Sequence, residues 1–157
     1  MKNALRYIFT ATVLFTGVAR ADAWINVSST IHEGPQTITS VTVDANGNTI
    51  LKAIDADSFE GTFSGVFAEF FTATIHSNGT MDFILDFVFD GTAAGATGTV
   101  HLRGEGHGAN GTATGTWEII KGTGRAGLTN AKGGGTWSVN LVTGVGQLNG
   151  QMKVSGN

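Results

Sequence analysis

The chain has 157 residues, with no cysteine, one proline, 24 glycines and a formal net charge of −3. Without cysteine it has neither a disulfide framework nor the anchor of a lipoprotein, so its stability rests on an apolar core that a chain of this length can supply. With 9 basic residues against 12 acidic ones, it lacks the electrostatic footprint of a nucleic-acid binder.

At the start, Lys2 and Arg6 precede an apolar stretch, Tyr7 to Val18, that is too short to span a bilayer. Ala19-Arg-Ala21 and Ala21-Asp-Ala23 supply the small-x-small pattern of a cleavage site. Residues 1–23 are therefore expected to be a signal peptide, and residues 24–157 a single exported domain, periplasmic or secreted. Loss of Lys2, Arg6, Arg20 and Asp22 takes the net charge from −3 to −5. No second long apolar run follows, so no membrane span is expected in the mature chain.

Beyond the leader, hydrophobicity alternates with period two rather than with helical period. Ile25 to Ile31 and Ile38 to Asp44 read as strands, and Asn46-Gly47 is a hairpin turn leading into Thr49 to Ile54. Phe59 to His76 is a long β-rich stretch, bent or split near Gly65, with a turn after it at Asn78-Gly79. From Met81 to Phe89 alternation is clearest: Met81, Phe83, Leu85, Phe87 and Phe89 share one face, and Asp82 and Asp86 the other. Asp90-Gly91 is expected to open the next connection. Thr97 to Gly106, Thr112 to Ile120, Thr136 to Val142 and Gln147 to Val154 complete the set, with a further turn signal at Asn110-Gly111 and with Asn149-Gly150 within or between strands. Eight to ten short strands at this spacing predict an all-β sandwich or barrel. A closed barrel removes exposed edges, and the expected fold is one antiparallel barrel of about eight strands.

Gly122-Thr-Gly-Arg-Ala-Gly127 matches the G-x-G-x-x-G dinucleotide fingerprint, which functions only between a strand and a helix. Here Gly133-Gly-Gly135 follows within six residues, so no useful helix starts there. These glycines are expected at turns and bulges, and no cofactor is expected.

From Gly115-Thr-Trp117 through Gly122 to Gly127 and on to Gly133-Gly-Gly-Thr-Trp137, the chain resembles the small barrels related to allene oxide cyclase and plant dirigent proteins. It is still more similar to an uncharacterised bacterial branch of that group, known only as a domain of unknown function. Phe59-Glu-Gly-Thr-Phe-Ser-Gly65 and Gly98 to Gly106 fit the same pattern. The resemblance implies an eight-stranded antiparallel barrel with room for a hydrophobic small molecule, steered by shape where members are catalytic. The functional carboxylates and arginines of those enzymes have no matching positions here, and Leu128 to Lys132 is an added excursion.

Candidate chemistry is sparse. His101, Arg103, Glu105 and His107 share one face of one strand. His101 and His107 stand about 20 Å apart at ~3.3 Å per residue, too far to share a zinc ion. The row reads as a solvated face opposite Val100 and Leu102; if it faced inward, Arg103 and Glu105 would be the catalytic candidates. Asp55 and Asp57 read as loop residues without the further aspartates of a calcium loop. Glu69, Glu118, His76 and His32 read as surface residues, and Asp82 and Asp86 are too far apart for a glycosidase pair. There is no G-x-S-x-G elbow, and no metal site is expected. Phe83, Leu85, Phe87 and Trp117 are the candidates for lining a small hydrophobic ligand. The leading expectation is thus an exported binding barrel. The alternatives are a cyclase- or dirigent-like enzyme with a charged residue in its lumen, a filled structural barrel, and, as a fold, a lipocalin- or avidin-like barrel.

Overall fold

The computed structural model describes residues 23–154. Nearly all of the expected leader, and the last three residues of the expected domain, lie outside them.

Nine strands form one antiparallel sheet: β1 (Ile25–His32), β2 (Gln36–Val43), β3 (Thr49–Gly61), β4 (Phe63–Ile75), β5 (Met81–Ala93), β6 (Ala96–Ala109), β7 (Thr112–Ile119), β8 (Lys132–Asn140) and β9 (Val145–Lys153). Each of β3 to β9 pairs with the next in sequence, and β9 returns to β1. β1 then pairs with the far end of β3, Ser29 opposite Gly61 through His32 opposite Ser58, and this closes eight strands into a barrel. β2 is the additional strand. It pairs with the other half of the same β3 edge, from Gln36 opposite Asp55 to Val43 opposite Thr49. β3 therefore has β1 along one half and β2 along the other, and the barrel wall forks there.

Alternation decides which side chains fill the lumen. Along β5, Leu85, Phe87 and Phe89 are buried and Phe83 is half-buried, while Asp82, Ile84, Asp86 and Val88 face out. Along β6, Val100, Leu102, Gly104, Gly106 and Gly108 face in, and His101, Arg103, Glu105 and His107 face out. The inward glycines make room for large neighbours, the small-against-large matching that barrel interiors need. A Cβ at Gly106 would stand 2.5 Å from the Trp137 ring, and one at Gly108 would stand 2.8 Å from Phe83.

Several expected boundaries shift. Asp90-Gly91 is not a turn. β5 runs on to Ala93, and the connection is at Ala94-Gly95, both with positive φ. Gly91 lies opposite Gly65, where a Cβ would meet the Ser64 carbonyl at 2.4 Å, so close backbone approach explains this glycine. Gly65 itself is inside β4, and the chain breaks at Thr62 instead. Gly133 to Gly135 belong to β8 rather than to a turn, and a Cβ at Gly135 would stand 2.0 Å from the Asn149 carbonyl. After Gly122-x-Gly124 comes only a single 3-10 turn, Ala126–Leu128. Among the described residues no helix is long and apolar enough to cross a membrane.

The two ends of the barrel differ. At one end the Ile120–Ala131 excursion folds back over the mouth: the Arg125 N–H donates to the Thr99 carbonyl at 2.8 Å, and Leu128 is inserted with no exposure. Phe63, Phe89, Val100, Leu102 and Met152 pack there at 0–1% exposure. Phe63 makes edge contacts with Phe89 and Trp117, with centroids 5.1 and 5.9 Å away. Two buried polar groups of this end have partners. Ser29 Oγ accepts from the Phe63 N–H at 2.9 Å, and the Trp117 indole N–H donates to the Asn149 carbonyl at 3.0 Å. The other end carries the β1–β2, β2–β3, β4–β5, β6–β7 and β8–β9 connections and is hollow.

Candidate functional site

The hollow end holds a cavity of about 240 Å³. Its wall is mainly apolar: Phe59, Phe67, Phe71, Phe83, Leu85, Phe87, Trp137 and Leu148 are among its lining residues. Phe59 stacks on Phe67 at 4.1 Å, and Phe83 meets the Trp137 ring edge-on at 6.3 Å. The Trp137 N–H is already used, donating to the Thr116 carbonyl at 3.0 Å, so the indole presents only its apolar surface.

Three of the four residues expected to line a ligand, Phe83, Leu85 and Phe87, are in this wall. Trp117 is not; it packs against Phe63 in the closed half. Arg103 and Glu105 point away from the lumen. They lie in an open depression of about 580 Å³ on the outer wall, where Asp86 and Glu118 flank Arg103 across the strands and Ile84 and Thr116 flank Glu105. The reason is register: their even-numbered neighbours on β6 face the core. His76 and His107 also lie outside, joined through Asp82: His76 Nε2 is 2.8 Å from one carboxylate oxygen and His107 Nδ1 contacts the other. These bonds hold Asp82 below the usual carboxylate range. Among the described residues no group of three histidine, aspartate or glutamate side chains is placed to hold a metal ion.

The charged groups of the lumen are ones expected elsewhere. Asp55 and Asp57 are not loop residues. They sit in β3 on the inward face, in the alternating row Ala53, Asp55, Asp57, Phe59, and are 7% and 5% exposed. Glu69 is not a surface residue. It lies in β4 between Phe67 and Phe71 on the same inward row and lines the cavity with Asp55, Glu33 and Gln36. Asp55 and Glu69 are direct cross-strand partners, two carboxyl groups opposite each other. Asp57 Oδ1 accepts from the Gly34 N–H at 2.7 Å, but no described protein group donates to Asp57 Oδ2 or to Asp55 Oδ1. No lysine, arginine or histidine lines the cavity among the described residues.

This arrangement disfavours ionisation. Burial, reinforced by Asp57 and Asp55, raises Glu33 to about 6. Burial raises Asp57 to about 6 as well, against the Gly34 hydrogen bond and with help from Asp55. Burial raises Asp55, opposed by a hydrogen bond from Gln36. Glu69 is pushed well above the carboxylate range by burial first and then by Asp57, Asp55 and Glu33. The hollow end is thus an aromatic cup with one acidic side.

Comparison with known proteins agrees with this architecture and adds no activity. A family profile, DUF3224, described as a protein of unknown function, matches residues 28–150. A DUF3224 protein of unknown function from Shewanella oneidensis MR-1, known from its crystal structure, superposes with a TM-score of 0.67 at 14% identity, over 86% of this chain and 100% of that one. No curated protein matches the chain.

Proposed function

Because the chain belongs to the DUF3224 family, whose function is unknown, we propose a role from the open end alone: the barrel binds a small, mainly apolar molecule without covalent catalysis. The observation that carries this reading is the 240 Å³ cavity, walled by aromatic and aliphatic side chains and bordered by polar groups on one side only. Packed interiors leave voids little larger than a water molecule, whereas ligand sites are apolar clefts with a few convergent polar groups. The space lies just below the ~300–1,000 Å³ of common ligand sites, which suits a small molecule. The resemblance to allene oxide cyclase and dirigent barrels supports a hydrophobic ligand of this kind. Export through the Met1–Ala23 leader belongs to the same proposal, and cell fractionation tests it.

Ethylbenzene has the appropriate size and no charge. Titrated into the purified protein, it is expected to shift backbone amide resonances around Phe83, Phe87 and Trp137 and to leave those around Phe63 and Leu128 in place. Native mass spectrometry provides a second test, through a small molecule retained from the source cells. Absence of any shift at saturating ethylbenzene would contradict the proposal.

A further inference from the structure

The acidic side of the cup is more than a cluster of like charges. Asp55 is 7% exposed and faces the cavity, and no described protein group donates to its Oδ1. Buried polar atoms in native proteins nearly always have partners, and each exception asks for an explanation. Asp57 Oδ2, two residues on along the same face of β3, is the other such atom, whereas at the closed end the buried Ser29 hydroxyl has its partner.

Resting on the binding role proposed above, we propose that the cavity takes a small organic cation, a protonated amine on an apolar body, with the Asp55 carboxylate as its counter-ion. Glu69 directly opposite on β4, Asp57 on the same face of β3 and Glu33 at the rim add negative potential, and no basic side chain in the wall cancels it. Gln36 on β2 is neutral and hydrogen-bonds the Asp55 carboxyl, leaving Oδ1 as the atom without a donor. Phe59, Phe67 and Trp137 surround the same space, and aromatic faces attract cations. A buried ammonium needs both a carboxylate partner and a desolvated apolar seat for its carbon body; Asp55 and Glu69 supply the first, and Phe59, Phe67 and Phe71 beside them on β3 and β4, with Trp137, supply the second. A metal ion fits less well, since hard cations take six to eight oxygens and no group of three ligands converges among the described residues.

An isosteric probe series tests this. Benzylamine, benzyl alcohol and benzoate share a small aromatic body and differ in charge. By calorimetry at pH 8, benzylamine is expected to bind at least tenfold tighter than benzyl alcohol, with benzoate weakest. Asp55→Asn should abolish the preference while keeping benzyl alcohol binding. If that variant does not fold, wild-type protein still decides. At pH 6, amine binding should release protons, seen as heats that differ between buffers of different ionisation enthalpy, and benzyl alcohol should release none. Equal affinity for benzylamine and benzyl alcohol, or no proton release, overturns the cation proposal and leaves the cavity reading intact. Failure of benzyl alcohol and ethylbenzene alike, with benzylamine also silent, overturns both.

Discussion

The two ends of this barrel are built from the same strands yet solve opposite problems. The closed end has a plug, Leu128, a set of large side chains at 0–1% exposure, and buried polar groups that have hydrogen-bond partners. The open end uses its aromatic side chains to line a space, places Asp55 and Glu69 in its wall and buries Asp57 on the same face of β3. The difference separates a half packed for stability from a half whose buried unpartnered carboxyl atoms lower it.

The largest contrast is expected from aromatic truncation. Phe63→Ala, at the packed end, should cost about 3–5 kcal/mol in chemical denaturation. Phe83→Ala, in the cavity wall, should cost less than half as much, because part of its surface already faces open space; equal losses would break the distinction between the ends. Leu128→Ala should cost roughly 2–4 kcal/mol, and it should speed amide exchange in the excursion more than at the open end.

The pH dependence comes next. Asp57 and Glu33 titrate near 6 in the folded protein, above their ordinary values of 3.8 and 4.5. The folded state therefore holds protons that the unfolded chain has released, so this contribution to stability is present below about pH 4 and is lost as pH rises to about 6. Ligand-free protein should unfold at lower denaturant at pH 7.5 than at pH 5. Asp57→Asn should remove part of that slope and, at pH 7.5, stabilise by on the order of 1 kcal/mol after allowance for solvent screening. A variant less stable at pH 7.5 than the parent would contradict the electrostatic reading. The smallest effect is expected outside the barrel: Arg103→Ala and Glu105→Ala should each change stability by less than ~0.5 kcal/mol and leave benzylamine binding unchanged.

The barrel was legible in the sequence because local signals agreed with the global fold. Asn46-Gly47, Asn78-Gly79 and Asn110-Gly111 are turns, and the Met81 to Phe89 alternation gives the inward face of β5. The forked edge of β3, shared by β1 and β2, was not legible, since nothing local to any of the three strands encodes a partner that changes halfway. Glycine is not a uniform turn marker in this chain: Gly91 and Gly135 permit close backbone contact across strands. The site was half legible. Phe83, Leu85 and Phe87 follow from period two, but the inward carboxyl groups run against expectation because burial of a charge is rare. Their signal was present in spacing: Glu69 stands two residues from both Phe67 and Phe71, and Asp57 two from Phe59. Leu128 gave no signal, because its position in a glycine-rich excursion has no period to read.

The most direct measurement is a side-chain carboxyl NMR titration of Asp55, Asp57, Glu69 and Glu33, without and with saturating benzylamine. Midpoints near 6 for Asp57 and Glu33 and higher for Glu69 in the free protein, all falling when the amine binds, are what an apolar, acid-sided cup awaiting a cation predicts. Midpoints near 4 in the free protein, unmoved by the amine, would contradict it.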